Sequence, residues 1–256
     1  MGSPENTSTA APTIQGHPLQ TLAIARSALP AYPLLPQLAA LIIESYDAVH
    51  YQPIIPPEAN RLPGGSQQLL HEIEPGGWTL ILADAQDGAT TLYGTVTLEP
   101  KVQTPVTAND NCVEDILRDN EDVDAHVHPV EFSTSDNFPP AVGEARWNVR
   151  MLCVNVRFQK RGLAEWLMHQ AQQFILEQEL KANVRRLIGP STTSVRLLLT
   201  VVDELSGSWY TKRGWAAYHV KRMPPGFIGS EGGFTLVDMF KFLEVPVAAG
   251  PQATAL

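Results

Sequence analysis

Between Leu152 and Ala171 the chain reads LCVNVRFQKRGLAEWLMHQA. An apolar run enters a short polar, basic turn at Gln159, Lys160, Arg161 and Gly162, and leaves it with the pattern of a helix. A helix start carries N–H groups without partners and a partial positive charge, so a turn at that place is a ready anion site. Gly162 lets the backbone approach a bulky anion, and small Ala164 keeps the first helical turn unobstructed. Gln159 can hydrogen-bond, while Lys160 and Arg161 add positive charge. These residue types at this spacing suit a pyrophosphate. The plainer alternative is a turn that carries Gly and Arg only to reverse the chain and be solvated.

A second stretch with ligand-forming side chains is DVDAHVHPVEF at 122–132, which holds Asp122, Asp124, His126, His128 and Glu131. Two histidines at spacing two point to one side of an extended segment, and nearby carboxylates could complete a tetrahedral zinc shell. His126 and His128 would be the first ligands, with Asp122, Glu131 or a distant His71, His169 or His219 completing the set. A solvated acidic loop is the alternative.

Elements must position these groups. Leu38, Leu41, Ile42 and Tyr46 recur at helical spacing over 37–50, and Pro53, Pro56 and Pro57 end that helix. A short helix is expected over 66–73. WTLILAD (78–84) and TTLYGTVTL (90–98) are apolar, β-branched runs joined by AQDGA, whose Asp87-Gly88 pair suits a hairpin turn. Residues 100–141 are acidic and rich in Pro, Asn and Ser, with only 113–120 helical in pattern, and read as an insertion between strands. A strand over 145–156 and a helix over 162–180 flank the basic turn. Leu163, Trp166, Leu167, Ala171, Phe174 and Ile175 share one face of that helix. A buried strand (195–203), a short helix through Trp209 and Tyr210, and two strands (216–223 and 234–243) follow. The reading is a mixed α/β (α+β) domain over 19–244 around one central sheet, with a disordered tail at 1–18 and a flexible tail at 245–256.

The formal net charge of −9 opposes nonspecific nucleic-acid binding, which needs clustered Lys and Arg over a surface. The local cluster of Arg146, Arg150, Arg157, Lys160 and Arg161 suits a small anion better than a polymer. No stretch of about 20 apolar residues offers a membrane span. Cys112 and Cys153 are the only cysteines, which indicates no disulfide framework and a reducing compartment, the cytoplasm or alternatively the nucleus.

On these residues the sequence resembles the GCN5-related N-acetyltransferase (GNAT) superfamily. Its central motif is a strand, a loop of the form (Gln/Arg)-x-x-Gly-x-(Gly/Ala) and a helix, matched by Gln159, Gly162 and Ala164. Downstream, WYTKRGW (209–215) resembles the family's Tyr-x-x-x-Gly-(Phe/Trp) segment through Tyr210, Gly214 and Trp215. The two motifs cover roughly residues 145–220. The resemblance implies a largely antiparallel sheet flanked by helices, with a V-shaped cleft where a β-bulge splays the motif strand from its neighbour.

It also implies acetyl-coenzyme A as co-substrate. The pyrophosphate would rest on Gln159, Lys160, Arg161, Gly162, Leu163 and Ala164, and the pantetheine arm would pair with the strand at Leu152, Cys153 and Val154. Tyr210 would be the general acid that protonates the departing thiolate, if it is not simply a core aromatic. Histone-type members place a general-base Glu about eleven residues before the loop's Gln; that position here is Asn148. Glu144, four residues earlier and of the same strand parity, is the nearest carboxylate candidate. The expectation is acetyl transfer to an amine of a small molecule or peptide, with a cationic acceptor favoured by the acidic insertion. The alternatives are a coenzyme A-binding module that does not catalyse and a protein-interaction domain with a plain turn. The tandem aromatics and the final strands could form a homodimer, since exposed strands invite pairing.

Overall fold

The β-branched runs form β3 (Trp78–Asp84) and β4 (Leu92–Pro100), paired antiparallel as the expected hairpin. The computed structural model describes residues 11–14, 16–48, 54, 61–84, 91–101, 141–185 and 191–246. The AQDGA connection, the acidic insertion with its 113–120 helix, and the zinc candidates His126 and His128 lie outside those residues. Two strands precede the hairpin where the sequence suggested none. They are β1 (Thr13–Ile14) and β2 (His17–Ala25), and β2 pairs antiparallel with β3 from Leu19↔Asp84 to Ala25↔Trp78. The end of the expected 1–18 tail is therefore strand, and Ile14 is buried. Pro18 disguised it: proline tolerates the first positions of a strand but reads as a breaker.

Helix α1 (Leu35–Asp47) begins two residues earlier than its periodicity suggested, because Pro36 fits the first turn, where its missing N–H costs nothing. Its stripe of Leu35, Leu38, Ala39, Leu41 and Ile42 is buried. The short α2 (Gly65–Glu72) buries Leu69, and the Gln68 side chain accepts from the Gly64 N–H at its start. The long α3 (Leu163–Arg185) follows the basic turn and buries Leu163, Leu167, Met168, Ala171 and Ile175. Gly94 on β4 admits it: a Cβ there would lie 2.7 Å from Leu167 Cδ1 and 2.8 Å from the Cys153 carbonyl.

The remaining strands are β5 (Glu144–Val154), β6 (Ser194–Val202), β7 (Ala216–Met223) and β8 (Phe234–Glu244). A π-helical turn at Asp203–Gly207 leads from β6 into α4 (Ser208–Thr211). The sheet order is β1-β2-β3-β4-β5-β6-β8-β7, antiparallel throughout except for the parallel pair β5–β6. Val245, the first residue of the expected C-terminal tail, is buried and donates its N–H to the Thr193 carbonyl.

Two features open the sheet. The β5–β6 pairing runs from Glu144↔Ser194 to Asn148↔Leu198 and stops, although both strands continue. Among the described residues, no strand pairs with the outer edge of β5 from Val149 onward, and that edge faces a V-shaped gap. Next to it, the register of β4 against β5 shifts between Thr95↔Cys153 and Thr97↔Arg150. The extra residue is accommodated at Met151, which takes φ +51°. The bulge reverses the alternation of β5. Trp147 and Val149 belong to the hydrophobic core under α3, whereas Met151 and Cys153 belong to the core under α1 and α2. A largely antiparallel sheet, flanking helices, a bulge and a V-shaped gap are what the family resemblance implied.

Candidate functional site

A cavity of about 480 Å³ lies where the β5 edge, the basic turn and α4 converge. Seven of the nine residues expected at a coenzyme site line it: Leu152 and Val154 from the strand, Gln159, Lys160 and Gly162 from the turn, and Leu163 and Ala164 from α3. Tyr210 closes the far side.

The turn is built to present its backbone. Asn155 caps the 3₁₀ turn Val156–Phe158 by accepting from the Arg157 N–H at 3.1 Å, and Phe158 packs on Tyr93 with ring centroids 4.7 Å apart. Gln159 Nε2 donates to the Val154 carbonyl (3.3 Å), which also accepts from Ser45 Oγ (3.1 Å). Gln159 thus shapes the loop from behind. Lys160 and Gly162 both take positive φ, +60° and +78°. The first α3 hydrogen bond runs from the Trp166 N–H to the Gly162 carbonyl at 3.0 Å. The N–H groups of Leu163, Ala164 and Glu165 precede it and point out of the helix end, toward any bound anion.

Two of the expected residues, Arg161 and Cys153, do not line the cavity with their side chains. Arg161 is exposed, with its guanidinium over the Phe158 ring at 5.7 Å. The Cys153 side chain faces α1 on the opposite side of the sheet, a consequence of the bulge. Burial pushes its thiol up to about 12, with Arg61 partly opposing.

Tyr210 is largely buried, stacked edge-on between Trp209 and Trp215 at 4.8 and 5.7 Å. It both packs in the core and lines the cavity, so the two readings of this residue are compatible. Burial raises its phenol well above the ordinary value, and the neighbouring Tyr46 and Cys153 add to the effect. It holds its proton throughout the neutral range.

Glu144 is not placed to act as a base. It sits at the closed end of the β5–β6 pairing, is 5% exposed, and bonds Arg146 Nε (3.0 Å) and Arg196 Nη2 (2.7 Å). Each carboxylate oxygen is bonded by an arginine, which holds the side chain inside the sheet, away from the gap.

Sequence reasoning missed Glu165, Ser206, Trp209 and Arg213 in the cavity wall. Arg213 lies flat over Trp209 (4.0 Å to the ring centroid), donates Nη1 to the Trp209 carbonyl (3.1 Å) and Nη2 to Glu165 (2.8 Å). Its Nε is buried with no hydrogen-bond partner among the described residues. A buried cationic donor left over beside the turn is what an anionic ligand would satisfy. The signal was present in the sequence as Trp-Tyr-x-x-Arg, but only the fold carries Arg213 to the start of α3.

Across the sheet, a polar network anchors α2 beside the bulge. Arg150 Nη1 donates to the Glu72 carbonyl (2.8 Å) and to Glu99 (3.3 Å), and Arg61 pairs with Glu72 (2.7 Å) while covering the Tyr46 ring. Among the described residues, no group of three His, Cys, Asp or Glu is placed to hold a metal ion, and no helix is long and apolar enough to cross a membrane.

No protein-family model matches the chain, and no curated protein matches it in sequence. Solved structures resemble it at low identity. The ribosomal-protein-S18-alanine N-acetyltransferase from Escherichia coli is 12% identical with a TM-score of 0.43, over 91% of this chain and 97% of that one. Arabidopsis thaliana NAA60 in complex with acetyl-CoA is 15% identical with a TM-score of 0.42, over 88% and 98%. An acetyltransferase of the GNAT family from Streptococcus pneumoniae is 12% identical with a TM-score of 0.46, over 88% and 99%. At these values the function rests on the site's own geometry.

Proposed function

We propose that the chain is an acetyl-coenzyme A-dependent N-acetyltransferase acting on an amine of a small molecule or peptide. The observation that carries the proposal is the convergence on one cavity of an unpaired strand edge, an anion-binding turn at a helix start and a buried, protonated tyrosine. The leftover Arg213 Nε and the open N–H groups of α3 fit a pyrophosphate. The edge of β5 beyond Val149 fits an amide-bearing arm that adds to it like a strand.

Acetyl transfer then follows from these parts. The amine arrives neutral and attacks the thioester carbonyl carbon, forming the C–N bond. The C–S bond breaks, and Tyr210 gives its proton to the departing sulfur. The nitrogen loses its extra proton, which restores the phenol. A phenol raised by burial is a weak acid. The thiolate forms in the same water-poor cleft, however, and burial raises its proton affinity too.

A specific observation supports a second reading, a module that binds coenzyme A without turning it over. Glu144 is committed to arginines, and the usual base position is Asn148. Calorimetric titration with acetyl-coenzyme A followed by thiol release in the presence of an amine panel separates the two. Binding with turnover supports the transferase, binding without turnover supports the module, and no binding removes both.

A further inference from the structure

The face of the sheet opposite α3 carries a polar chain that the transfer steps above do not use. Thr200 Oγ1 donates to Asp238 Oδ1 at 2.5 Å, and His219 Nδ1 lies 2.9 Å from Asp238 Oδ2. A carboxylate can only accept, so Nδ1 holds the ring proton and Nε2 of the neutral imidazole is a hydrogen-bond acceptor. The His219 side chain is 33% exposed and Asp238 19%, so the chain is anchored yet reachable.

A second bulge aims it. The register of β7 on β8 shifts between Ala217↔Met239 and His219↔Asp238. Met239 and its neighbour Val237 pack in the α3-side core, so Asp238 and Phe240 face the other way. The shift brings His219 onto that face beside Tyr218, whose ring meets Phe240 at 6.0 Å. The same face continues across the sheet through Leu198 and its partner Asn148 to Arg150 and Met151. Thr200 lies two residues past the last β5–β6 pair, level with the Met151 bulge. Strands are spaced about 4.8 Å apart, which puts β7 roughly 10 Å from the β6 side of the gap.

We infer that Thr200, Asp238 and His219 form a second subsite for the acceptor, in which His219 Nε2 accepts a hydrogen bond from the backbone N–H of a peptide whose N-terminal amine is acetylated at the gap. The inference rests on the transferase reading for the position of the amine. About three residues of extended chain cover 10 Å, so a peptide reaches and a single amino acid does not. Tyr218 and Phe240 give its side chains an apolar bed. Among the described residues, Asp238 on β8 bonds the imidazole, Lys221 on β7 shares its strand parity and interacts with Asp238, and Thr200 on β6 adds its hydroxyl. Lys221 lies within electrostatic reach of Asp238 and offsets its charge, which favours a neutral N–H donor over a second ammonium.

The test uses a mixture of tetrapeptides with free N-termini and the matching mixture of amino-acid amides. With imidazole-labelled protein at pH 8, the tetrapeptides should shift the His219 Nε2 resonance and the amides should not. In kinetics, His219→Ala should raise KM for the tetrapeptides about tenfold, the value of one hydrogen bond, with kcat and the amide KM unchanged. His219→Phe, which keeps the ring volume, serves if the alanine variant misfolds. A resonance that tetrapeptides leave unmoved overturns the subsite, as does a variant that affects amides and tetrapeptides alike. Failure to bind acetyl-coenzyme A would remove the transferase reading, and the resonance titration would still decide the subsite alone.

Discussion

Replacing Gly162 by glutamate tests the anion site most directly. The residue has φ +78°, and a Cβ there would meet nothing within 4 Å. Space is therefore free and only the backbone conformation resists, at about 1–2 kcal/mol for any L side chain. Gly162→Ala isolates that cost. It should lower the melting temperature slightly and leave acetyl-coenzyme A affinity within about threefold. Gly162→Glu adds a carboxylate near the N–H groups that would hold a pyrophosphate. At about 6 Å from each of two phosphate charges, in a solvent-facing loop with an effective dielectric nearer 80 than 20, the repulsion sums to roughly 1.4–2.2 kcal/mol. Binding should weaken about 10- to 40-fold by calorimetry. Raising salt from about 0.1 to 1 M shortens the screening length from about 10 to 3 Å, so most of the glutamate-specific loss should disappear. Equal losses for Ala and Glu would refute the electrostatic reasoning, and a salt-independent loss would do the same.

Tyr210→Phe should lower kcat for thiol release by about 10²-fold or more while acetyl-coenzyme A affinity holds, because only the proton is removed; unchanged kcat excludes the phenol as acid. Glu144→Gln should lower stability by about 2–4 kcal/mol in denaturant melts, since it leaves Arg146 and Arg196 without their carboxylate, yet preserve turnover per folded molecule. A large loss of kcat at unchanged stability would reinstate it as a base. Gly94→Ala should destabilise by about 1–3 kcal/mol through the close approach of Leu167 and the Cys153 carbonyl, and a neutral melt would contradict that packing. The Cys153 thiol, raised from 9 to about 12, stays protonated when folded and ionises sooner when unfolded. Its contribution is thus whole below pH 9 and declines as pH rises from 9 toward 12. Cys153→Ala should flatten that alkaline limb of the stability curve.

Locally encoded features were legible in the sequence, and features encoded across strands were not. The turn at Gln159–Gly162 could be read because the strand, the glycine and the amphipathic helix follow one another within about 30 residues. The Met151 bulge could not, since a methionine at positive φ leaves no compositional trace and is fixed by register against Thr95 and Thr97. Counting parity from Asn148 to Glu144 was sound along β5, but the fate of that carboxylate depends on Arg196, which the parallel pairing delivers from 52 positions away. The direction of the Cys153 side chain was hidden for a related reason: the bulge between it and Val149 inverts its face. Arg213 was visible as a residue type yet not as a neighbour of Glu165, a contact between α3 and the turn after α4, which β6 separates in sequence.

Because of the Met151 bulge, one strand is gripped from both sides in succession. The first half of β5 is held by the packing beneath α3, through Trp147 and Val149, and the second half by the packing beneath α1, through Met151 and Cys153. The strand behaves as a crankshaft whose two journals sit in different bearings, and the edge that faces the gap is the throw between them. Wear in either bearing shifts the throw. Substitutions deep under α1, such as at Ile42, are therefore expected to be felt at the cavity without touching it, because Ser45 on the same helix holds the Val154 carbonyl that Gln159 also grips. Tolerance to mutation in this protein should accordingly follow distance from the crank, not distance from the cavity.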